Sequence, residues 1–338
     1  MSHVLTSRGA SGWAPCGRLV DMSSTRVAAV DCGTNSLRLL VADLDPETGT
    51  LTDLHRSMEV VRLGQGVDRT GMIAPEALQR TLDSTARAAA VVRELGAERV
   101  RFVATSASRD AGNKDAFFEG VHERLGVYPE VVSGEEEAAL SFRGATSVVG
   151  GRFDAPYLVV DLGGGSTELV LGSGEPEAAY SMDVGCVRMT ERHLATDPPT
   201  EAEIAAARAD VRAALDEALA VVPVAKTATL VGLAGTVTTV TAHALGLDHY
   251  DRDRINGSVL PTSDVLHACD ELLAMPRADR AALGFMHPGR VDVIGAGALV
   301  WAEVVTRVRD EVVAAGGELA QVVTSEHDIL DGIALSLG

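Results

Sequence analysis

The chain has 338 residues, of which 46% are hydrophobic and 23% are charged, and its formal net charge is −19. This composition is typical of a globular protein, and the length predicts two domains. The strong negative charge argues against nucleic-acid binding by a broad basic face, and the lack of an apolar run of about 18 residues argues against a membrane helix.

The first half of the chain predicts a group of strands followed by helices. Residues 1–24 are rich in Ser and Gly and contain no apolar segment, so we expect a disordered extension rather than a signal peptide. Short apolar runs predict strands, and apolar residues spaced by three or four positions predict helices. The predicted strands are 26–33, 36–45, 51–64 and 99–107, and the predicted helices are 75–95 and 114–126.

The second half repeats this order of elements. Thr200 and Glu203 form a predicted capping box at the start of one of its helices. Such an internal duplication predicts two α/β lobes that face each other across a cleft, with ligands bound at the turns beyond the strand ends. The predicted strands are 156–166, 167–174, 177–185 and 228–236, the predicted helices are 200–222, 263–275 and 291–309, and a terminal segment follows at 325–337.

Glycine-rich turns follow three of the predicted strands. DCGTNS (31–36) and DLGGGST (161–167) each come after an apolar run, and GLAGT (232–236) supplies a third turn. Glycine lets backbone N–H groups approach a phosphate closely. A plain loop is the alternative for any single turn, but three such turns favour phosphate binding. The predicted phosphate-binding residues are Gly33, Thr34, Asn35, Ser36, Gly163, Gly164, Gly165, Ser166, Thr167, Gly235 and Thr236.

Acidic residues stand beside these turns. Asp31 and Asp161 begin the first two turns, where an aspartate can hold a hydrated Mg²⁺ against a bound phosphate. The segment VVSGEEEAA (131–139) predicts a helix start with Ser133 as its N-cap. Its three glutamates are either capping and solvated charges or include a general base. Glu168 is likewise either a solvated strand residue or a residue that faces the cleft.

Two arginines are candidates for a role in the cleft. Arg109, in ATSASRDAGN (104–113), can clamp a phosphate or pair with a carboxylate for structural reasons, and we favour the clamp. Arg290 precedes a helix rich in small residues, and we expect it to form an ion pair with Asp292 that braces the cleft.

Seven segments together resemble the Ppx/GppA phosphatases, which are exopolyphosphatases and guanosine pentaphosphate phosphohydrolases. The resemblance runs from Arg26 to Gly338 and is to the short, two-domain form without the C-terminal helical domains of longer members. The segments are VAAVDCGTNSLRLLVAD, ATSASRDAGN, VVSGEEEA, VVDLGGGSTELVLG, GLAGTVTTVTA, RVDVIGAGAL and SEHDILDGI.

The resemblance implies an α/β fold of the actin-like ATPase (ribonuclease H-like) class, with two duplicated α/β domains and a cleft between them. The first domain is expected to comprise residues 25–137 plus about 323–338, and the second residues 138–322. A homodimer is also implied. The four cysteines show no metal-binding spacing, which indicates reduced thiols and a cytoplasmic protein.

The resemblance also assigns roles to the acidic residues. It implies that Glu137 is the catalytic base and that Glu168 is a second essential acid that positions metal or water. Arg109 completes the implied catalytic set. The implied cofactor is Mg²⁺, with Mn²⁺ as the alternative, and the implied metal ligands are Asp31, Asp161 and Glu168. Glu135 departs from some members, which have Asn there, and its charge is expected to raise the pKa of Glu137.

The implied activity is exopolyphosphatase: Mg²⁺-dependent hydrolysis of the terminal phosphoanhydride of inorganic polyphosphate, with release of orthophosphate. Short chains are the expected substrates because the sequence is acidic and shows no basic channel. The nearest alternative is hydrolysis of pppGpp to ppGpp. More distant alternatives are a kinase of the same fold, with a nucleotide pocket at 232–236, and a non-catalytic sensor of polyphosphate or alarmone.

Overall fold

The computed structural model describes residues 24–338, so residues 1–23 of the predicted extension lie outside the described residues. The strands are β1 (Thr25–Cys32), β2 (Ser36–Leu44), β3 (Leu51–Val60), β4 (Arg99–Ala104), β5 (Glu130–Val131), β6 (Tyr157–Leu162), β7 (Thr167–Gly172), β8 (Pro176–Met182), β9 (Thr229–Leu233), β10 (Val259–Pro261) and β11 (Gln321–Thr324).

Helices follow the strands in both halves. They are α1 (Val67–Thr70), α2 (Pro75–Leu95), α3 (Ser106–Asp110), α4 (Lys114–Leu125), α5 (Gly134–Val149), α6 (Cys186–His193), α7 (Glu201–Val221), α8 (Ala234–Ala244), α9 (Arg252–Ile255), α10 (Thr262–Ala274), α11 (Arg277–Ala282), α12 (Ile294–Ala314) and α13 (Ile329–Leu335). Within residues 24–338, no helix combines the length and the apolar character needed to cross a lipid bilayer.

The strands form two sheets of the same design. The first has the order β3-β2-β1-β4-β5, and the second contains the equivalent order β8-β7-β6-β9-β11 with β10 added at its edge. In each sheet an antiparallel meander of three strands is joined to parallel strands through its first member. The predicted duplication and the predicted α/β fold class are therefore confirmed.

Each sheet is covered on both faces, which explains why its central strands are almost wholly apolar. Helices α2 and α4 pack on one face of the first sheet, and α13 packs on the other. Helices α7, α10 and α12 cover one face of the second sheet, and α5 covers the other. The ends of β1 and β6 are thus held rigidly by packing on both sides.

Helices α5 and α13 cross closely between the two lobes. A Cβ added to Gly144 would lie 1.9 Å from the carbonyl oxygen of Asp328, and one added to Gly332 would lie 1.9 Å from that of Leu140. Only glycine permits this backbone approach. The crossing brings the first turn of α5 and the start of α13 to the cleft between the sheets.

Most predicted elements agree with the structure, and the capping box at Thr200 and Glu203 is present. The third glycine turn is an exception, because Gly235 and Thr236 lie in the first turn of α8. The predicted terminal segment begins after β11, which pairs with β9 in the second sheet. The predicted domain boundaries, including the return to the first domain near residue 323, stay predictions.

Candidate active site

The two Asp-Gly turns have the same backbone closure. The N–H of Gly33 donates to the carbonyl of Ser36 at 2.9 Å, and the N–H of Gly163 donates to that of Ser166 at 3.0 Å. The turns also approach each other, since a Cβ on Gly164 would lie 3.0 Å from the Cβ of Thr34. The duplicated sequence thus places two equivalent turns face to face between the lobes.

A cavity of about 100 Å³ lies where these turns meet. It collects most of the residues that the sequence predicted for the site. The third glycine segment contributes through the start of α8, although it is not a turn. The predicted residues that line the cavity are Asp31, Gly33, Thr34, Asn35, Ser36, Glu137, Asp161, Gly163, Gly164, Ser166, Gly235 and Thr236.

Four predicted residues do not line this cavity: Gly165, Thr167, Glu168 and Arg109. The hydroxyl of Thr167 donates to the carbonyl of Val184 at 2.6 Å, so it is engaged within the second lobe rather than directed at a ligand. Glu168 lies on β7, opposite Asp161 on β6, and is 1% exposed. Glu168 therefore lies buried next to Asp161 rather than in the wall of the cavity.

The acidic side chains of the site are buried close to one another. Burial and the charge of Asp161 together raise the pKa of Glu168 to about 8. Burial likewise raises the pKa of Asp161 to about 6, and Asp328 contributes in the same direction. The pKa of Glu137 is well above its usual range because of burial and the charges of Glu168 and Asp161. This mutual repulsion favours the binding of a cation or the uptake of protons.

Glu137 is held at the start of α5. The hydroxyl of Ser133 accepts from the backbone N–H of Glu136 at 3.2 Å, which confirms Ser133 as the N-cap. Glu135 is exposed, and the carboxylates that raise the pKa of Glu137 are those of Glu168 and Asp161 instead. Oε2 of Glu137 is buried without a hydrogen-bond partner, so this oxygen is free to receive a proton from a ligand.

Arg109 lies beside Glu137 rather than in the cavity lining. Its Nη1 donates to the carbonyl of Val132 at 3.0 Å and lies 3.5 Å from Oε2 of Glu137. In the structure Arg109 therefore lies beside a carboxylate, as the second of its two interpretations describes. A positive charge in this place favours the ionised form of Glu137.

Arg38 is a site residue that the sequence reasoning missed. Its Nε and Nη2 donate to Oδ2 of Asp31 at 2.8 and 2.6 Å, and its Nη1 donates to Asp328. Arg38 occupies the place in the first hairpin that Glu168 occupies in the second, seven residues after the aspartate in both turns. Alignment of the two duplicated turns would have revealed it, because Arg38 and Glu168 then fall at the same position.

Arg290 also lines the cavity, but without its expected partner. The Arg290 guanidinium covers Gly235, where a Cβ would lie 2.4 Å from Nη2, and its Nη1 donates to Thr239 at 3.2 Å. Asp292 pairs instead with Arg277 at 2.6 Å and with Arg62 at 3.1 Å. The expected pair of Arg290 and Asp292 is therefore wrong, because Arg277 and Arg62 pair with Asp292 instead.

A second, larger cavity of about 500 Å³ continues from the first. The two share Arg38, Met58, Ala234, Gly235 and Arg290. The larger cavity adds an apolar and aromatic wall together with polar groups, and its further lining includes Arg56, Thr238, Tyr250, Phe285, Met286, Glu326 and Leu330. A ligand with its phosphate end at the turns has room to extend in this direction.

The matched family model covers residues 40–330 and describes the Ppx/GppA phosphatase family. The chain belongs to this family. It is 52% identical to Exopolyphosphatase 2 of Mycobacterium tuberculosis over 94% of this chain and 99% of that protein. A crystal structure of an exopolyphosphatase-like protein is 47% identical and superposes with a TM-score of 0.91, covering 94% of this chain and 98% of that one.

A more distant relative in the Ppx/GppA family is the guanosine-5'-triphosphate,3'-diphosphate pyrophosphatase of Vibrio atlanticus. It is 38% identical over 169 residues, which is 49% of this chain and 33% of that protein. The family predicted from the sequence motifs is thus confirmed. The sequence identity to Exopolyphosphatase 2 is higher than that to the Vibrio atlanticus enzyme, and it extends over much more of both chains.

The acids of this Ppx/GppA chain suit a hard cation only in part. Within residues 24–338, no three His, Cys, Asp or Glu side chains are grouped closely enough to form a complete metal site. The predicted set of Asp31, Asp161 and Glu168 therefore does not form a preformed cage, and Arg38 occupies one oxygen of Asp31. The other oxygen, Oδ1, is buried without a partner. Such a donor set fits Mg²⁺, which usually takes one or two carboxylates and completes its shell with water and phosphate oxygens.

Proposed function

We propose that the chain is an exopolyphosphatase that hydrolyses the terminal phosphoanhydride of inorganic polyphosphate and releases orthophosphate. The observation that carries this proposal is the smaller cavity, whose lining includes both equivalent glycine turns and the candidate base Glu137. Support also comes from the similarity to Exopolyphosphatase 2 along nearly the whole of both chains. The size of the cavity, about 100 Å³, suits a single phosphoryl group.

The terminal phosphoryl group binds between the two turns in this proposal. Backbone N–H groups of Thr34, Asn35 and Gly164, with the first turn of α8 at Gly235 and Thr236, contact its oxygens. Arg38 and Arg290 supply positive charge where the cavity opens toward the rest of the chain. Preorganised donors of this kind stabilise the charge that builds up on the phosphoryl oxygens during transfer.

Glu137 acts as the general base on a water molecule. The water oxygen bonds to the terminal phosphorus while the bond from phosphorus to the bridging oxygen breaks, and the shortened chain leaves with that electron pair. The water proton passes to Glu137, whose buried Oε2 has no other hydrogen-bond partner. The charge of Arg109, 3.5 Å from that oxygen, favours the ionised form and opposes the larger rise in the pKa of Glu137 that burial and the neighbouring carboxylates cause.

Membership of this family implies dependence on a divalent cation, and we propose Mg²⁺, with Mn²⁺ as the alternative. Asp161 and Glu168 would hold it, with the free oxygen of Asp31 nearby. When bound, the cation neutralises charge on the phosphate oxygens and on these acids. A homodimer and a cytoplasmic location complete the proposal, the latter from the reduced thiols that the sequence indicates.

Hydrolysis of pppGpp is the second candidate activity, and the larger cavity favours it. Tyr250 and Phe285 offer aromatic surfaces in a cavity that shares Arg38 and Gly235 with the phosphoryl site, a feature that the sequence did not reveal. A nucleoside could occupy this volume of about 500 Å³ while its 5'-phosphates reach the turns. The alignment to the Vibrio atlanticus enzyme spans only about half of this chain, which is why this activity stands second.

Phosphate release from purified protein tests both activities. The substrates are tripolyphosphate, long polyphosphate, pppGpp and ATP, each with Mg²⁺, with Mn²⁺ and with chelator. We expect the fastest release from short polyphosphate and none with chelator. Faster digestion of long chains would contradict the expected length preference. Release from pppGpp alone, lost in Tyr250→Ala while Tyr128→Ala at another exposed tyrosine is unaffected, would replace the proposal with the second activity.

A further inference from the structure

The candidate active site has cavities on two sides of the glycine turns. The larger cavity already described continues from the phosphoryl site on the side of Arg38 and Arg290. On the other side lies a small cavity of about 20 Å³, which is lined by Thr34 and Gly165 of the two turns. A groove of about 600 Å³ follows, and it shares Asp68 and Glu191 with the small cavity. We call the small cavity and this groove the rear passage.

Small side chains separate the phosphoryl site from the rear passage. The hydroxyls of Thr34 and Ser106 share a hydrogen bond of 2.9 Å. A Cβ on Gly165 would lie 2.6 Å from the Ser106 hydroxyl and 2.7 Å from that of Thr34. The dividing wall therefore consists of two hydroxyls and a glycine backbone. A shift of either lobe by about the width of these groups would join the two spaces.

An ion-pair cluster lies where the small cavity of the rear passage meets the groove. Asp68, on α1 of the first lobe, accepts from Nη1 of Arg188 at 2.7 Å and from Nε and Nη2 of Arg192 at 2.8 and 2.9 Å. Both arginines lie on α6 of the second lobe. We call this cluster the Asp68 latch. The side chains of Asp68 and Arg192 are 25% and 31% exposed, whereas that of Arg188 is 11% exposed, so solvent weakens the pair with Arg192 more than the pair with Arg188.

The Asp68 latch is joined directly to a phosphate turn. Nε of Arg188 donates to the carbonyl of Gly165 at 2.7 Å, so one guanidinium contacts both the turn and the latch. Arg188 also lines the small cavity. A phosphate ion that moved past Gly165 would meet this positive charge first. It would then compete with Asp68 for Arg188.

We infer that orthophosphate leaves through the rear passage while the shortened chain stays bound on the other side. This inference rests on the proposed exopolyphosphatase activity. The tail of the substrate fills the cavity beside Arg38 and Arg290, so the phosphate formed at the closed end cannot pass it. The dianion instead draws Arg188 away from Asp68, and the latch opens. The bound chain can then advance into the emptied phosphoryl site.

Product inhibition of the wild-type protein tests the order of release. Orthophosphate is added as inhibitor while the concentration of tripolyphosphate or a longer polyphosphate is varied. A product that leaves first, with the chain still bound, inhibits in a mixed or non-competitive manner. We expect this pattern, and purely competitive inhibition would overturn the inference. Absence of any phosphate in acid-quenched samples would instead refute the proposed activity itself.

The Asp68 latch is tested by the rate at which phosphate becomes free. Acid quenching counts all phosphate formed, whereas a phosphate-binding fluorescent sensor counts only phosphate in solution, and the lag between them reports release. In Asp68→Asn we expect release to be about 2- to 5-fold faster, the factor that one exposed ion pair supplies. The rate of bond cleavage is expected to stay unchanged. Arg192→Gln is expected to give the same result.

Asp43→Asn is the matched control. The pair of Asp43 and Arg26 has a comparable length, 2.8 Å, and comparable side-chain exposures of 27% and 35%, against 25% and 31% for Asp68 and Arg192, but it lies within the first lobe. This variant should leave the lag unchanged. An unaltered lag in both Asp68→Asn and Arg192→Gln, or an equal change in the control, would overturn the role of the Asp68 latch.

Discussion

Replacement of Glu168 by glutamine should stabilise the ligand-free protein while it abolishes activity. The Glu168 carboxyl has a pKa of about 8 in the folded protein against an ordinary value of 4.5. At pH 7 it is therefore protonated when folded and ionised when unfolded. This difference costs the wild type about 3 kcal/mol of unfolding free energy at pH 7, from 1.36 kcal/mol for each of 2.5 units. Glutamine does not titrate, so the variant avoids this cost.

The pH dependence follows from the sign of the shift. Between pH 4.5 and 8 the folded protein binds more protons at Glu168 than the unfolded chain, so stability falls as pH rises through this window. The advantage of Glu168→Gln should thus shrink to less than about 1 kcal/mol at pH 5. Urea unfolding at both pH values, in chelator and without phosphate, measures it.

Glu303→Gln provides the contrast. Glu303 is also buried but pairs with Arg212 at 2.6 Å, so its loss should destabilise the protein. Two results would refute the explanation that the buried Glu168 carboxyl destabilises the wild type. One is a Glu168→Gln variant less stable than wild type at pH 7, and the other is an effect of the same size at both pH values. Added Mg²⁺ should stabilise the wild type more than the variant, because the cation relieves the same repulsion.

Three further substitutions test the site and the lobe contact. Glu137→Ala should lower kcat by about 100-fold or more, as expected for loss of a general base, while calorimetry still detects substrate binding; normal turnover would show that the base is another residue. The Ser141 hydroxyl donates to Asp161 and thereby lowers the pKa of that carboxyl. Its loss in Ser141→Ala should raise this pKa and move the acid limb of the kcat/KM profile to higher pH, and Ser141→Thr should restore the limb. Gly144→Ala forces a methyl group against backbone and should cost about 1–3 kcal/mol in urea unfolding, and an unchanged midpoint would contradict the close crossing.

The parts of the site that could be predicted are those encoded locally. An apolar run that ends in Asp-x-Gly specifies a buried strand and a turn at its end, and two such patterns specify a pair of turns. Ser133 and the glutamates after it specify a helix start with equal clarity. Because these signals span fewer than ten residues each, Asp31 and Asp161 could be assigned to one cleft before the structure was known, whereas the choice of Glu137 among three glutamates came from the family resemblance.

The remaining features depend on contacts between distant segments. Arg38 and Asp328 are 290 residues apart in sequence, and their ion pair exists only because α13 packs on the first sheet. Arg109 is directed to Glu137 by the carbonyl of Val132, which no local pattern encodes. Asp292 of the second lobe pairs with Arg62 of the first lobe. Side-chain partners of this kind follow from tertiary packing, which periodicity and motif spacing do not describe.

The duplicated hairpins show how one geometry serves two purposes. In both lobes the residue seven positions after the aspartate lies opposite it on the neighbouring strand, and it is Arg38 in the first lobe and Glu168 in the second. The first pair joins opposite charges and leaves a cation beside the phosphoryl site. The second joins like charges, and burial raises the pKa of both acids more than the charges of Arg38 and Arg109 lower it. Arg38 already pairs with two carboxylates, those of Asp31 and Asp328, so both halves of the cleft are short of positive charge. A phosphate that arrives with a divalent cation brings that positive charge with it.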